Sequence, residues 1–259
     1  MLYRELPIVR VDGETFVAGT HPVVEEVPLS VTVNGRHALT AMTSPTMLRE
    51  FVAGYLYTER IVKDLMEIES IRIEGNTASV LTKNPFAILT SHKTVLSGCG
   101  ASTSFLDAGR LPTIRSDLTL VPGAIRAATK ETLDSELHRI TGGIHLVGLF
   151  DGEGKVIRVA EDIGRHNALD RVVGHGLLSG TDFSRTFAVS SGRISSEMVR
   201  KCLVANIPVI VSRGATTTAA VEAAKTGGLT IIGFVRSRKM NIYTGPERVR
   251  GASPAPGGE

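Results

Sequence analysis

Apolar and polar positions alternate through residues 27–43, VPLSVTVNGRHALTAMT, with Asn34-Gly35 interrupting the alternation. A period of two marks a half-buried strand. Asn-Gly accepts the positive φ of a tight turn, so the stretch predicts a β-hairpin. The period then lengthens. Ser44-Pro45 reads as a helix cap with a first-turn proline. Leu48, Val52, Tyr55 and Leu56 follow on one face of a helix ending near residue 60. Two short strands are expected at 69–74 and 77–82, turning at Gly75-Asn76. Residues 1–25 have a mixed pattern and read as an extended lead-in.

Periodicity is weak from 84 to 118. Within that span SGCGAS, residues 97–102, reads as a loop, because its glycines and serines favour neither helix nor strand. Pro122 opens a helix running to about 140, closed by Gly142-Gly143. Strands at 145–150 and 155–160 are joined by Asp-Gly-Glu-Gly, and a helix begins at EDIGRHNALD, residues 161–170. Beyond it come strand 186–190, helix 195–206, strand 208–212, helix 216–225 and strand 229–235. Continuous apolar strands alternating with helices predict a parallel sheet with crossover helices. The expected organisation is α/β: a smaller N-terminal α+β domain over 1–121 with the Cys99 loop near its end, a C-terminal α/β domain over 122–250, and a disordered Pro/Gly-rich tail over 251–259.

Composition narrows the function classes. With 259 residues and 42% hydrophobic positions the chain can bury an ordinary core. A net charge of +3, 5% aromatics and no tryptophan argue against a nucleic-acid binder. Two cysteines, Cys99 and Cys202, support neither a disulfide framework nor a structural zinc site of their own. No signal peptide or membrane span is legible, which makes a soluble, cytoplasmic protein with no membrane partner the expectation.

Three places hold candidate chemistry. On the helix after Gly164, spacing by four puts His166 and Asp170 on one face, with Arg165, Arg171 and Asn167 beside them. The same residues also make a capped helix with a charged surface. Each C-terminal strand ends in polar and basic residues: Ser190 to Arg193, Ser212 to Thr216, and Phe234, Val235, Arg236, Ser237, Arg238 and Lys239. Ligands of open parallel sheets bind outside the carboxyl ends of the strands. Helix N-termini there favour an anion, so the clusters suggest a phosphate-bearing ligand, although serines and threonines also serve simply as caps. Cys99 stands between two glycines, which would let the backbone present its sulfur; His92 and Lys93 are near in sequence. The competing reading is a small buried residue, and the polar setting favours the reactive one. Cys202 falls on an apolar helix face and reads as core. No Walker loop, strand-linked G-x-G-x-x-G, G-x-S-x-G elbow or zinc-hydrolase motif is present.

EDIGRHNALD at 161–170, TGGIH at 141–145, SGRISSEMV at 191–199, GFVR at 233–236 and NIYT at 241–244 resemble the formate dehydrogenase accessory sulfurtransferase family, over about 27–244. The resemblance implies a dimeric sulfur carrier whose C-terminal part has a cytidine-deaminase-like fold without the zinc. In that picture a cysteine desulfurase loads a persulfide on Cys99. The sulfur then passes to the bis-molybdopterin guanine dinucleotide molybdenum cofactor before its insertion into formate dehydrogenase. It also places the cofactor-binding segment at Phe234 to Lys239, where Arg236, Arg238 and Lys239 suit pyrophosphates. One departure stands out. Many members have C-x-x-C in the loop, and here Ser102 replaces the second thiol. Two rival functions follow: a non-catalytic chaperone that holds the cofactor, and a nucleotide enzyme using His166 and Asp170 as acid and base.

Overall fold

The computed structural model describes residues 2–86 and 111–252, and the Cys99 loop and the residues after 252 lie outside them. Its first surprise is at the N-terminus. Residues expected as a lead-in form a ribbon of β1 (Tyr3–Asp12) and β2 (Thr15–Val24), antiparallel over their full length. The turn residue Gly13 has φ of 59°.

The hairpin predicted around Asn34-Gly35 is present as β3 (Val27–Val33) and β4 (Arg36–Thr43). Both turn residues have positive φ, 50° and 76°, as a tight hairpin turn requires. With β5 (Ile68–Glu74) and β6 (Thr77–Thr82) they make a sheet of order β4-β3-β6-β5. Helix α1 (Leu48–Thr58) covers one face, burying Phe51, Val52 and Leu56 against Leu29, Val31 and Val80. This helix starts later than Ser44 would suggest. The Ser44 amide donates to the Asp162 carboxylate at 3.1 Å, so Ser44 is drawn to the other half of the molecule instead of capping α1.

The larger unit is a six-stranded sheet of β7 (His145–Asp151), β8 (Val156–Asp162), β9 (Thr186–Ser190), β10 (Val209–Ser212), β11 (Thr230–Gly233) and β12 (Asn241–Thr244), in the order β12-β11-β10-β9-β7-β8. The central strands β9, β10 and β11 are parallel, as their apolar runs imply. The flanking pairs are antiparallel. Helices α4 (Arg165–Leu178), α5 (Ser196–Ala205) and α6 (Thr218–Gly227) cover one face, where Leu169, Val199 and Ala224 meet Ala188, Ile210 and Ile231. Helix α2 (Pro122–Thr132) covers the other, where Ile125 and Ala128 meet Phe187, Val209 and Ile232. The single helix expected to run from Pro122 to 140 is two. The chain breaks at Leu133 to Ser135, and the Ser135 hydroxyl accepts the His138 amide at 2.9 Å to start α3 (Glu136–Thr141). Residues 111–121 run along the larger unit: the Ile114 amide donates to the Gly227 carbonyl at 2.8 Å and Leu120 bridges to Val249.

The two sheets meet through α1 and α4, and glycine makes the crossing close. A Cβ at Gly54 would stand 1.8 Å from the Asp170 carbonyl oxygen, and one at Gly174 would stand 1.8 Å from that of Glu50. The backbones are in contact, and no larger residue fits either position. Among the described residues no helix is long and apolar enough to cross a membrane.

Candidate functional site

The parallel strands bring their carboxyl ends to one edge. There the loops are tied together by backbone and hydroxyl bonds. Ser212 Oγ donates to the Gly192 carbonyl at 2.6 Å and accepts the Gly214 amide at 2.8 Å. Beyond β11, the Phe234 amide donates to the Gly214 carbonyl at 3.0 Å, and the Val235 amide donates to that of Ser212 at 3.1 Å. Arg236 Nη1 donates to the Arg213 carbonyl at 2.5 Å. Two of the basic clusters are thereby joined as one surface. Arg193, Arg213 and Arg236 are all exposed.

Beside this edge a groove of about 440 Å³ opens between α2 and the ends of β10 and β11. Its apolar lining is Val235, Leu133 and Ala127. Its walls carry four cations, Arg126, Lys130, Arg213 and Arg236, with Thr129 and Ser237 between them. Such a site can hold a flat apolar group and neutralise phosphates at its rim. Of the six residues expected to bind cofactor, Val235, Arg236 and Ser237 line the groove; Phe234, Arg238 and Lys239 are exposed beside it and are not among its lining. Phe234 has φ of 52°, a left-handed conformation that a bulky residue rarely adopts, and its ring stands 41% exposed.

Sequence reading missed Arg126 and Lys130. Both sit on α2, far from the strand ends in sequence. Their spacing of four was the available signal, since it puts both cations on one helix face.

At the start of α4 the expected pairing of His166 with Asp170 is not formed. Asp170 turns inward and accepts from Lys201 Nζ at 2.9 and 3.0 Å and from Thr58 Oγ1 at 2.7 Å. Glu59 and Arg200 complete this buried cluster, joining α1, α4 and α5. Burial opposes the Lys201 ammonium, but Asp170 and Glu59 outweigh it and hold its proton. Burial would likewise raise Glu59, but Lys201 and Arg200 hold it at about 2. His166 points instead to Ser195 Oγ at 3.1 Å and Glu197 Oε2 at 3.5 Å. Burial, with Arg165, Lys201 and Arg200 nearby, pushes its pKa down to about 3, so the imidazole is neutral. The imidazole and the carboxylate thus face different partners, and the geometry does not join them as the acid–base pair of the nucleotide-enzyme reading.

A second buried pair anchors the site. The Asp162 carboxylate, fully buried at the end of β8, accepts from Arg171 Nη2 at 2.5 Å, Thr43 Oγ1 at 2.7 Å and the Gly164 amide at 2.8 Å. Arg171, also fully buried, donates to the Ser44 carbonyl at 2.8 Å. This is what the polar residues after Glu161 do: they fasten the first sheet to the turn that starts α4. At that turn Arg165 and His145 crowd Gly192, where a Cβ would stand 3.1 Å from each. Burial, then Arg165, lowers the His145 pKa. The other expected site residue, Cys99, lies outside the described residues. Cys202 is fully buried on α5, and burial pushes its thiol up to about 12.

Comparison with known proteins gives one consistent likeness. The FdhD/NarQ family model matches residues 24–250. Sulfur carrier protein FdhD of Methanothermobacter thermautotrophicus is 34% identical over 250 residues, spanning 96% of this chain and 99% of that one. The protein of the same name from Bacillus subtilis is 34% identical over 237 residues, spanning 88% and 90%. Among solved structures, a formate dehydrogenase accessory protein from Desulfotalea psychrophila superposes with a TM-score of 0.83 at 26% identity, covering 96% of this chain and all of that one.

Proposed function

Because the chain belongs to the FdhD/NarQ family, we propose that it is a sulfur carrier serving formate dehydrogenase, and that Cys99 is the atom that carries. The family's relatives bear the name sulfur carrier. Among this chain's two cysteines, Cys202 is sealed in the core with its thiol proton held. That leaves Cys99. In the proposed step the Cys99 thiolate attacks the outer sulfur of a persulfide on a cysteine desulfurase. The new sulfur–sulfur bond forms on Cys99, the old one breaks, and the donor cysteine leaves as thiolate. No external oxidant is needed, and one thiol suffices, so Ser102 at the second loop position is compatible with carriage. It removes any step that would join the two positions in a disulfide.

The recipient is the bis-molybdopterin guanine dinucleotide cofactor, taken as cargo before its insertion into formate dehydrogenase. The observation that carries this part is the groove lined by Arg126, Lys130, Arg213 and Arg236 together with Val235, Leu133 and Ala127. A guanine dinucleotide offers a flat base and pyrophosphate, and the donor set fits both. The proposal includes a cytidine-deaminase-like arrangement of the C-terminal sheet and helices, reused to hold a nucleotide. The protein works as a homodimer in the cytoplasm.

A reconstituted maturation assay tests the proposal. Apo-formate dehydrogenase, cofactor, desulfurase, cysteine and this protein are combined, and formate oxidation is read. Cys99→Ala abolishes activation while leaving GDP binding unchanged. Full activation by Cys99→Ala refutes carriage. It then leaves the chaperone reading, which the Ser102 replacement favours: a protein that holds the cofactor and docks to the enzyme without touching sulfur.

A further inference from the structure

Of the three strand-end clusters, the one after β9, Ser190 to Arg193, is not among the lining of the groove. The groove opens on the face of the sheet that α2 covers, whereas this cluster meets the start of α4 on the other face. A Cβ at Gly192 would stand 3.1 Å from Arg165 Cδ and 3.1 Å from His145 Nδ1, so the arginine stem and the imidazole lie against the same stretch of backbone. His145 Nδ1 is also 3.4 Å from Ser191 Oγ, which accepts the Leu146 amide at 2.9 Å. The far end of the loop is fixed as well: Ser195 Oγ meets His166 Nε2 at 3.1 Å, and Ile194 bridges to Thr216.

The cluster has donors and positive charge without acceptors to match. Arg165 Nε is buried with no hydrogen-bond partner among the described residues. The acidic groups packed around α4 are committed elsewhere: Asp162 to Arg171, Asp170 to Lys201, and Glu59 to Lys201 and Arg200. Glu197 faces His166, 3.5 Å away. Arg165 enters none of these pairs. Burial, then Arg165, keeps the His145 pKa below its ordinary value, so that ring is neutral. A neutral imidazole and a hydroxyl hold two protons between them and use one in their mutual bond. Whichever way that bond points, one N–H or O–H is left over. A buried donor without an acceptor is costly, so such a group in a native site calls for one. We propose that Arg165, His145 and Ser191, with the exposed Arg193 at the rim, form a second anion site that takes a phosphate group. Phosphate presents its oxygens tetrahedrally, and so meets donors arriving from α4, β7 and the loop after β9 better than a planar carboxylate does. Two sources supply that group: inorganic phosphate, and the phosphate ester of a nucleotide such as the proposed cofactor carries. The site stands without the cofactor reading, and only the second source rests on it.

Titration calorimetry of the full chain with inorganic phosphate, at an ionic strength held constant with chloride, tests it. The wild type binds phosphate saturably, with a Kd of about 1 mM or below. Arg165→Gln raises that Kd at least about tenfold, and Arg165→Lys, which keeps the charge but not the fork, raises it less. Arg126→Gln combined with Lys130→Gln, on the other face of the sheet, weakens GDP binding and leaves phosphate binding within about twofold. Repeating the phosphate titration with GDP saturating separates the sources. Displacement assigns the site to the nucleotide's own phosphate, and simultaneous binding assigns it to inorganic phosphate. No saturable binding to the wild type, or an unchanged Kd in Arg165→Gln, overturns the inference. Should Arg165→Gln misfold, the ring-proton resonance of His145 in the unchanged chain decides. It shifts with bound phosphate and stays in place under matched chloride; a resonance that phosphate does not move refutes the site. A protein that binds phosphate through Arg165 but does not bind GDP would sink the cofactor reading and leave this one standing.

Discussion

Asp162→Asn is the most informative single change outside the Cys99 loop. The substitution keeps the size of the side chain and removes its charge. Asp162 Oδ1 accepts the Gly164 amide at 2.8 Å and Asn167 Nδ2 at 2.9 Å, and the variant's oxygen can keep both. Oδ2 accepts from Thr43 Oγ1, the Ser44 amide and two nitrogens of Arg171, and an amide nitrogen there faces donors alone. The Arg171 guanidinium, with no side-chain exposure, is left as a buried charge without its counter-ion. Breaking such a pair costs about 3–5 kcal/mol. For a chain of this size each kcal/mol lowers Tm by about 2–4 °C, so the expected fall is roughly 6–20 °C. Differential scanning calorimetry reads it, with denaturant titration as a check. Adding Arg171→Met should recover part of the loss, since removing both charges leaves none uncompensated. A fall under about 2 °C for the single variant, or no recovery in the double, would refute the claim that this pair fastens the two sheets.

Further expectations follow from the same geometry. Gly174→Ala drives a methyl into the Glu50 carbonyl, so the α1–α4 crossing must separate; overpacking of this kind costs at least about 1–3 kcal/mol, seen as a lower denaturation midpoint. Acid should weaken the fold in two windows. His166 is held near 3 against an ordinary 6.5, so the unfolded chain binds a proton that the folded one does not, and stability falls as pH drops from 6.5 toward 3. Glu59, held near 2 against 4.5, adds a loss as pH drops below 4.5. His166→Gln should flatten the stability profile between pH 6.5 and 4.5, and an unchanged slope would contradict the neutral imidazole. Neutralising Arg126, Lys130, Arg213 and Arg236 to glutamine should weaken GDP binding at least tenfold and reduce its salt dependence, as titration calorimetry would show. Equal affinity in the four-fold variant would place the nucleotide elsewhere.

How much of this was legible in the chain depends on how local the cause was. The Asn34-Gly35 hairpin, the helix over 195–206 and the parallel core strands follow from short-range rules, and the structure has each of them. The start of α1 was misplaced because Ser44 answers to Asp162, more than a hundred residues away. The same holds for His166 and Asp170. One helical turn does set them a turn apart, but packing sends one to Ser195 and the other to Lys201, and no pattern in sequence reports that choice. The ribbon at 3–24 was missed for a different reason. Both of its faces carry apolar residues, including Leu6 and Val17 on the charged side, so the alternation that marks a strand is blurred. The groove was half visible: the strand-end arginines were in the sequence pattern, whereas Arg126 and Lys130 come from a helix on the opposite face of the sheet.

The central claim is that one thiol carries sulfur. Purified protein is incubated with a cysteine desulfurase and cysteine, and intact mass is taken before and after a reductant. The account predicts a reductant-sensitive gain of one sulfur atom that maps to Cys99 and vanishes in Cys99→Ala. No gain, from a protein that still binds GDP, would contradict it and make the serine at 102 the decisive feature of this chain.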